Sequence, residues 1–280
     1  MNEFFIFNDK IFPSGTPVIS VANRSFRYGD GIFETMKIVD GAVINRRFHF
    51  ERLFHGLAVL KFDIPSFFNV DFLEEKIHAL LIKNQHQKSA RVRLSVFRGD
   101  GGIFDVQDSL PNYVIESWEL PSTDRLNEKG LAIDIFSDAA KSCDAFSNLK
   151  SNNYLPSVMA GLYAKEHTLN ESIIMNCKGN VCESATGNIF IVNKNEIFTP
   201  PLSDGCVAGV MRRWLLEKFS LKNYLISERS LSVADLVAAD ELFLTNSVYH
   251  LRWVKTFREK NYVNMAAKEI YRHVVRSVRY

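Results

Sequence analysis

The sequence predicts two α+β domains, and three observations lead there. A chain of 280 residues that is 46% hydrophobic carries enough apolar side chain for one large core or two medium ones. Runs with the two-residue period of strands stand beside separate runs with the three-to-four spacing of helices. Residues 119–127, with Pro121, Ser122 and Thr123, read as a linker, which puts a first domain at 1–118 and a second at 128–280.

From the N-terminus, Phe4 to Phe7 and Lys10 to Phe12 flank Asn8-Asp9 and predict an edge hairpin. After the irregular stretch Pro13 to Arg27, two β-rich runs meet at Val39-Asp40-Gly41-Ala42, where Asp-Gly marks a tight turn. Gly29-Asp30-Gly31 therefore stands at the mouth of a strand. Between His49 and Lys61, Phe50, Leu53, Phe54, Leu57 and Leu60 recur at helical spacing, Pro65 ends that region, and Phe72 to Asn84 repeats the pattern. Next, Val92, Leu94 and Val96 alternate with Arg91, Arg93 and Ser95, a half-buried strand with both arginines on one face. Asn112 to Trp118 adds another strand.

The second half opens with Gly130 to Ser137, a strand by its alternating Leu131, Ile133 and Ile135. Pro156 suits the first turn of a helix, where its missing N–H costs nothing, and Val158, Met159, Leu162 and Tyr163 give that helix an apolar face expected to be buried. Ser172 to Asn176, Asn180 to Glu183 and Asn188 to Val192 read as strands, the first two joined by the turn Cys177-Lys178-Gly179, with a hairpin return at Glu196 to Thr199. Helices follow at Val210 to Phe219, Val233 to Ala238 and Val263 to Val278, and strands at Tyr224 to Glu228 and Glu241 to Thr245.

Composition excludes several classes of function. A net charge of +2 lacks the electrostatic footprint of a nucleic-acid binder, which points to a small-molecule partner. No apolar run approaches the roughly 18 residues of a membrane span, and the start MNEFFIFNDKIF has no basic segment leading into a long apolar run, so a cytoplasmic protein is expected. Cys143, Cys177, Cys182 and Cys206 lack C-x-x-C spacing and read as reduced, mostly buried thiols with no metal to hold.

Lys150 is the first residue with a claim to chemistry. It stands just before the helix begun by Pro156, where core begins, and a lysine there must be neutral, paired or covalently used. Glu183 ends a strand among the small residues Ser184, Ala185 and Gly187, which leave room for a flat ligand. Gly205 to Val210 leads into a helix whose N-terminal N–H groups suit an anion. Ser247 adds a hydroxyl after a strand, and Arg52 a charge-assisted donor from its helix.

In this order the chain carries Glu183, Asn188-Ile189-Phe190, Thr199 and Val207-Ala208-Gly209-Val210-Met211-Arg212. It also carries YGDGIFET at Tyr28 to Thr35, H-x-x-R at His49 to Arg52 and LKSNNYL around Lys150. Together these resemble the class IV, or fold-type IV, pyridoxal-phosphate aminotransferases, and the resemblance spans nearly the whole chain. It implies the two-domain α+β architecture of D-amino-acid aminotransferase, a homodimer, and pyridoxal 5'-phosphate as cofactor. By the same resemblance Lys150 is the Schiff-base lysine, and Glu183 faces the pyridine nitrogen, with Asn188 in the cofactor motif. Arg52, Gly209, the backbone of Val210 and Met211, and Ser247 hold the phosphate. Lysine can both hold the aldehyde and shuttle a proton, and a carboxylate beside the ring nitrogen keeps that nitrogen protonated.

Three activities stay open at this point: branched-chain transamination, D-amino-acid transamination, and release of pyruvate from aminodeoxychorismate to give 4-aminobenzoate. Arg93 followed by Gly99-Asp100 resembles the branched-chain enzymes, whereas Gly101 to Asp105 lacks the Arg-x-His pair of the D-amino-acid enzymes. The glycines of FRGDGG and Thr35 lean toward the lyase and D-amino-acid branches, and the lyase's Arg-Gly-Tyr continuation is here Ile103-Phe104-Asp105. Tyr28, Phe33 and Tyr154 give an apolar, aromatic pocket that suits a branched aliphatic side chain and would also stack on a cyclohexadiene; the expected partners are an amino acid and a keto acid. A branched-chain-like aminotransferase is the expected activity, with the lyase as first alternative and a weakly catalytic cofactor-binding protein as the alternative of another class.

Overall fold

The computed structural model describes residues 3–107, 109–121, 125–219 and 223–277. The chain forms two compact units, Met1–Thr123 with Leu149–Asn153, and Asp124–Asn148 with Tyr154–Tyr280. Each mixes helices and strands, the α+β class. Of the linker residues, 122–124 lie outside those described.

The first unit contains β1 (Phe4–Phe7), β2 (Lys10–Pro13), α1 (Arg24–Tyr28), β3 (Gly31–Val39), β4 (Ala42–Val43), α2 (Arg46–Val59), α3 (Val70–Lys83), β5 (Ser89–Phe97) and β6 (Asn112–Glu119). Among the described residues the strands form a six-stranded sheet in the order β2-β1-β6-β5-β3-β4. Met36, Ile38, Val92, Leu94 and Ile115 from the strands share one core with Leu53 and Leu57 of α2 and Leu73, Ile77 and Leu80 of α3. The five-residue α1 overlaps the end of the stretch read as irregular. It is too short to show a period and is made by its cap, the Asn23 side chain accepting from the N–H groups of Ser25 and Phe26.

The segment 149–153 joins this unit along β3. Ser151 bridges Ile32, the Phe33 N–H donates to the Lys150 carbonyl at 2.9 Å, and the Asn152 N–H donates to the Gly31 carbonyl at 2.9 Å. Glycine is required at position 31, because a Cβ there would stand 2.7 Å from the Val96 carbonyl oxygen.

The second unit contains β7 (Leu131–Lys141), α4 (Leu155–Glu166), β8 (Glu171–Asn176), β9 (Val181–Ser184), β10 (Asn188–Asn193), β11 (Glu196–Thr199), α5 (Val210–Lys218), β12 (Leu225–Glu228), α6 (Val233–Ala238), β13 (Glu241–Asn246), β14 (His250–Phe257), β15 (Lys260–Asn261) and α7 (Met265–Ser277). The sheet runs β12-β11-β10-β13-β14-β7-β8-β9 among the described residues, with β15 on β14. Val278, the last residue of the predicted closing helix, lies outside those described.

β14 and β7 differ from expectation, and the two-residue β15 was not foreseen. Sequence alone did not mark β14; it lies between β13 and β7 and buries side chains on both faces, which erases the alternation that reveals a strand. β7 continues past Ser137 to Lys141, because its register against β8 shifts between Phe136 and Ala140 and pairing then resumes.

The face of α4 is a correction. Val158, Met159 and Leu162, expected inside, are 53%, 43% and 48% exposed, with Leu155 at 65%. The inner face is Ser157, Ala160 and Ala164. Small residues let the helix lie close to the sheet, where the Ser172 hydroxyl of β8 donates to the Ala160 carbonyl at 2.6 Å. Spacing identifies an apolar stripe but not whether it faces the core.

Candidate active site

In the first unit, two cations stand against one ring. Phe33 on β3 is buried, with the Arg93 guanidinium of β5 at 3.9 Å and the Lys150 Nζ at 4.5 Å from its centroid. The face of a π-system is negative, so it steadies both charges at low entropic cost. Arg93 is further oriented by a 3.2 Å hydrogen bond from its Nε to the Ser95 hydroxyl.

Arg52 on α2 lies within an ion network. Its Nε and a terminal nitrogen donate to both oxygens of Glu34, at 2.8 and 2.6 Å, and His49 Nδ1 stands 2.6 Å from the same carboxylate. Glu34 is 1% exposed. Burial alone raises its pKa, but Arg52 and His49 outweigh that and hold it down to about 2. Burial pushes the His49 pKa below its ordinary value against the pull of Glu34, with Arg52 and Lys150 adding to the downward shift. His49 is therefore neutral at pH 7, its Nδ1–H donating to Glu34. Its buried Nε2 has no hydrogen-bond partner among the described residues.

In the second unit Glu183, at the end of β9, is 3% exposed and engaged twice. Lys141 pairs with one oxygen, and the Val207 N–H donates to the other at 2.8 Å. Burial lowers the Lys141 pKa, but Glu183 and Cys182 raise it more, so the net shift is upward. A carboxylate has about four lone-pair positions, so Glu183 keeps capacity for one more donor.

Asn188 starts β10 and braces the loop before α5, its side-chain NH2 donating to the Val207 carbonyl at 2.9 Å. Gly209 caps α5, and a Cβ there would fall 1.8 Å from Asn188 Oδ1. No side chain caps this end of α5, so Val210 and Met211 begin the helix with only backbone toward the loop. Ser247 opens the turn between β13 and β14, Tyr154 caps α4 and is half-buried, and Tyr28 ends α1 with Arg24 5.7 Å from its ring.

Glu34, His49 and Lys141 are the residues whose parts sequence reasoning missed. The first two sit within YGDGIFET and H-x-x-R, and those motifs were the signal available. Nothing local marks Lys141, whose place depends on the register shift in β7.

Residues 31–257 match the model of the family described as amino-transferase class IV. A putative branched-chain-amino-acid aminotransferase of Methanocaldococcus jannaschii is 30% identical over 86% of this chain and 83% of its own length. An aminodeoxychorismate lyase of Vibrio harveyi is 28% identical over 82% and 84%. A crystal structure of the branched-chain aminotransferase of Thermoproteus uzoniensis with norvaline superposes with a TM-score of 0.87 at 22% identity, covering 98% of this chain and 94% of that one. The chain belongs to the class IV aminotransferases, enzymes that depend on pyridoxal phosphate.

Proposed function

We propose that this enzyme moves an amino group from a branched-chain amino acid to a 2-keto acid, with Lys150 as the lysine that bonds the cofactor. The observation that carries this reading is the pairing of Arg93 and Lys150 on the buried ring of Phe33. An amino acid presents a carboxylate, an amine and a side chain within a few ångströms. A fixed guanidinium beside an amine on an apolar surface suits all three parts. The name carried by the M. jannaschii relative supports the same reading.

The residues present fit the cofactor. His49 Nε2 lacks a partner among the described residues, and position 209 admits no side chain between the loop and α5. Pyridoxal phosphate supplies an aldehyde that condenses with amines and a ring that accepts electrons. Lys150 would bond the cofactor's aldehyde carbon, and its amine would move the proton at the substrate Cα. Glu183 would accept from the cofactor's ring nitrogen and favour its protonated form, and Lys141 and the Val207 N–H hold the carboxylate in place. Arg52, Gly209, the backbone N–H groups of Val210 and Met211, and the Ser247 hydroxyl would hold the phosphate, with Asn188 bracing the loop. Tyr28 and Tyr154 line the substrate side chain together with Phe33.

The exposed stripe Leu155, Val158, Met159 and Leu162 supports a homodimer, since a contiguous apolar helix face is costly in water. No helix among the described residues is long and apolar enough to cross a membrane. We place the enzyme in the cytoplasm, in keeping with its four free thiols.

A second reading, pyruvate release from aminodeoxychorismate, is favoured by the V. harveyi relative. Mixing the cofactor-loaded enzyme with L-amino acids, D-amino acids and aminodeoxychorismate separates them. Conversion to the pyridoxamine form by L-valine, L-leucine or L-isoleucine supports the transaminase; pyruvate release without that conversion identifies the lyase. Cofactor binding with neither outcome overturns both.

A further inference from the structure

Four cysteines without motif spacing are not equivalent once the chain is folded. Cys182 and Cys206 are buried, and burial pushes both thiols far up, Cys206 to about 12. Cys143 is half-buried and Cys177 exposed. β7 and β8 run parallel with Lys141 opposite Asn176, so Cys143 lies two residues beyond one strand and Cys177 one residue beyond the other. The Cys177 N–H donates to the Lys141 carbonyl at 2.9 Å, so the backbones carrying the two cysteines leave the sheet side by side.

We propose that Cys143 and Cys177 are an oxidisable pair that closes into a reversible disulfide. The exposed Cys177 thiolate attacks a hydroperoxide, its sulfur taking one oxygen while the O–O bond breaks and the leaving oxygen departs as water or alcohol. The Cys143 thiolate then attacks the Cys177 sulfur, and the hydroxyl leaves with a proton as water. The two sulfurs lose two electrons in all, and the peroxide gains them. Lys178 favours the Cys143 thiolate, whereas burial, Cys177 and Asp204 oppose it, so closure is expected to be faster at alkaline pH.

The bond would act on a segment that matters. Cys143 opens the loop 142–148, which packs against Gly205, where a Cβ would stand 2.2 Å from the Ser142 carbonyl oxygen. Asn148 donates from its side chain to the carbonyls of Leu202 and Cys206 and accepts from the Ala208 N–H. Val207, between those anchors, donates to Glu183. A disulfide would tie this clasp to the turn after β8.

The test treats the full chain with hydrogen peroxide, alkylates the remaining thiols under denaturing conditions and maps the peptides by mass spectrometry. The expected result is a cross-linked pair of peptides bearing Cys143 and Cys177, reversed by dithiothreitol and absent in both Cys143→Ser and Cys177→Ser. Cys182→Ser should leave it intact. Free Cys143 and Cys177 after treatment, a disulfide between chains, or over-oxidation of Cys177 alone would overturn the proposal, and the wild-type map decides even where a variant folds poorly.

Discussion

Glu34 binds two partners that carry or can carry positive charge through one buried carboxylate, and its titration is a stability statement. Its folded pKa of about 2 lies below the unfolded value of 4.5, so its contribution is complete above about pH 4.5 and is lost as pH falls toward 2. His49 acts in the same direction from higher pH. Its folded pKa is lowered, so below about pH 6.5 the unfolded chain takes a proton that the native one resists. Urea melts from pH 7 to 3 should therefore show a steady loss of stability, and Glu34→Gln should flatten the acid end of that curve. At pH 7 the same variant removes the carboxylate charge that Arg52 pairs with and should cost about 3–5 kcal/mol, the usual loss when one partner of a buried pair is removed. Lys141→Met should destabilise to a similar degree by leaving the Glu183 carboxylate without its cation, whereas Lys141→Arg should recover most of it in the same melts. Glu183→Gln should keep the cofactor yet slow Cα proton removal by about 10²–10⁴-fold, as for a lost acid–base contribution, read by stopped-flow absorbance. Normal turnover in that variant would assign Glu183 another role.

At the scale of elements, the loop before α5 is set by backbone more than by side chain. Gly209→Ala would drive a methyl into Asn188 Oδ1, so the loop and its Val207 N–H must shift. Cofactor affinity, measured by titration of the apoenzyme, should fall about 10–100-fold, the scale seen when a supporting contact around a bound group is lost. Unchanged affinity would show that the loop tolerates the move. Elements with their own period were legible in the sequence: α2 and α3, β5 with its alternating arginines, and the strands bearing Glu183 and Asn188. Lys150, Glu183 and the glycine before α5 were legible as motifs, because each keeps a distinctive local spacing. What depends on the register between distant strands left no local trace. Lys141 reaches Glu183 through the shift between Phe136 and Ala140, and Cys143 and Cys177 leave neighbouring strand ends only because β7 and β8 are parallel neighbours. The stripe on α4 was legible as a stripe, but its direction follows from which residues are small enough to meet the sheet.

At the scale of the molecule, that outward stripe belongs with the proposed homodimer. Val158→Lys with Leu162→Lys should leave the fold intact by circular dichroism and shift the species seen by light scattering from dimer to monomer at micromolar concentration. A wild-type protein already monomeric there would count against the dimer. Lys150 is the residue on which the proposed chemistry turns, and its bond to the cofactor can be made permanent. Reduction of the cofactor-loaded enzyme with borohydride, followed by peptide mapping, should place a phosphopyridoxyl group on Lys150; a label on Lys141 or another lysine, or none, would contradict it.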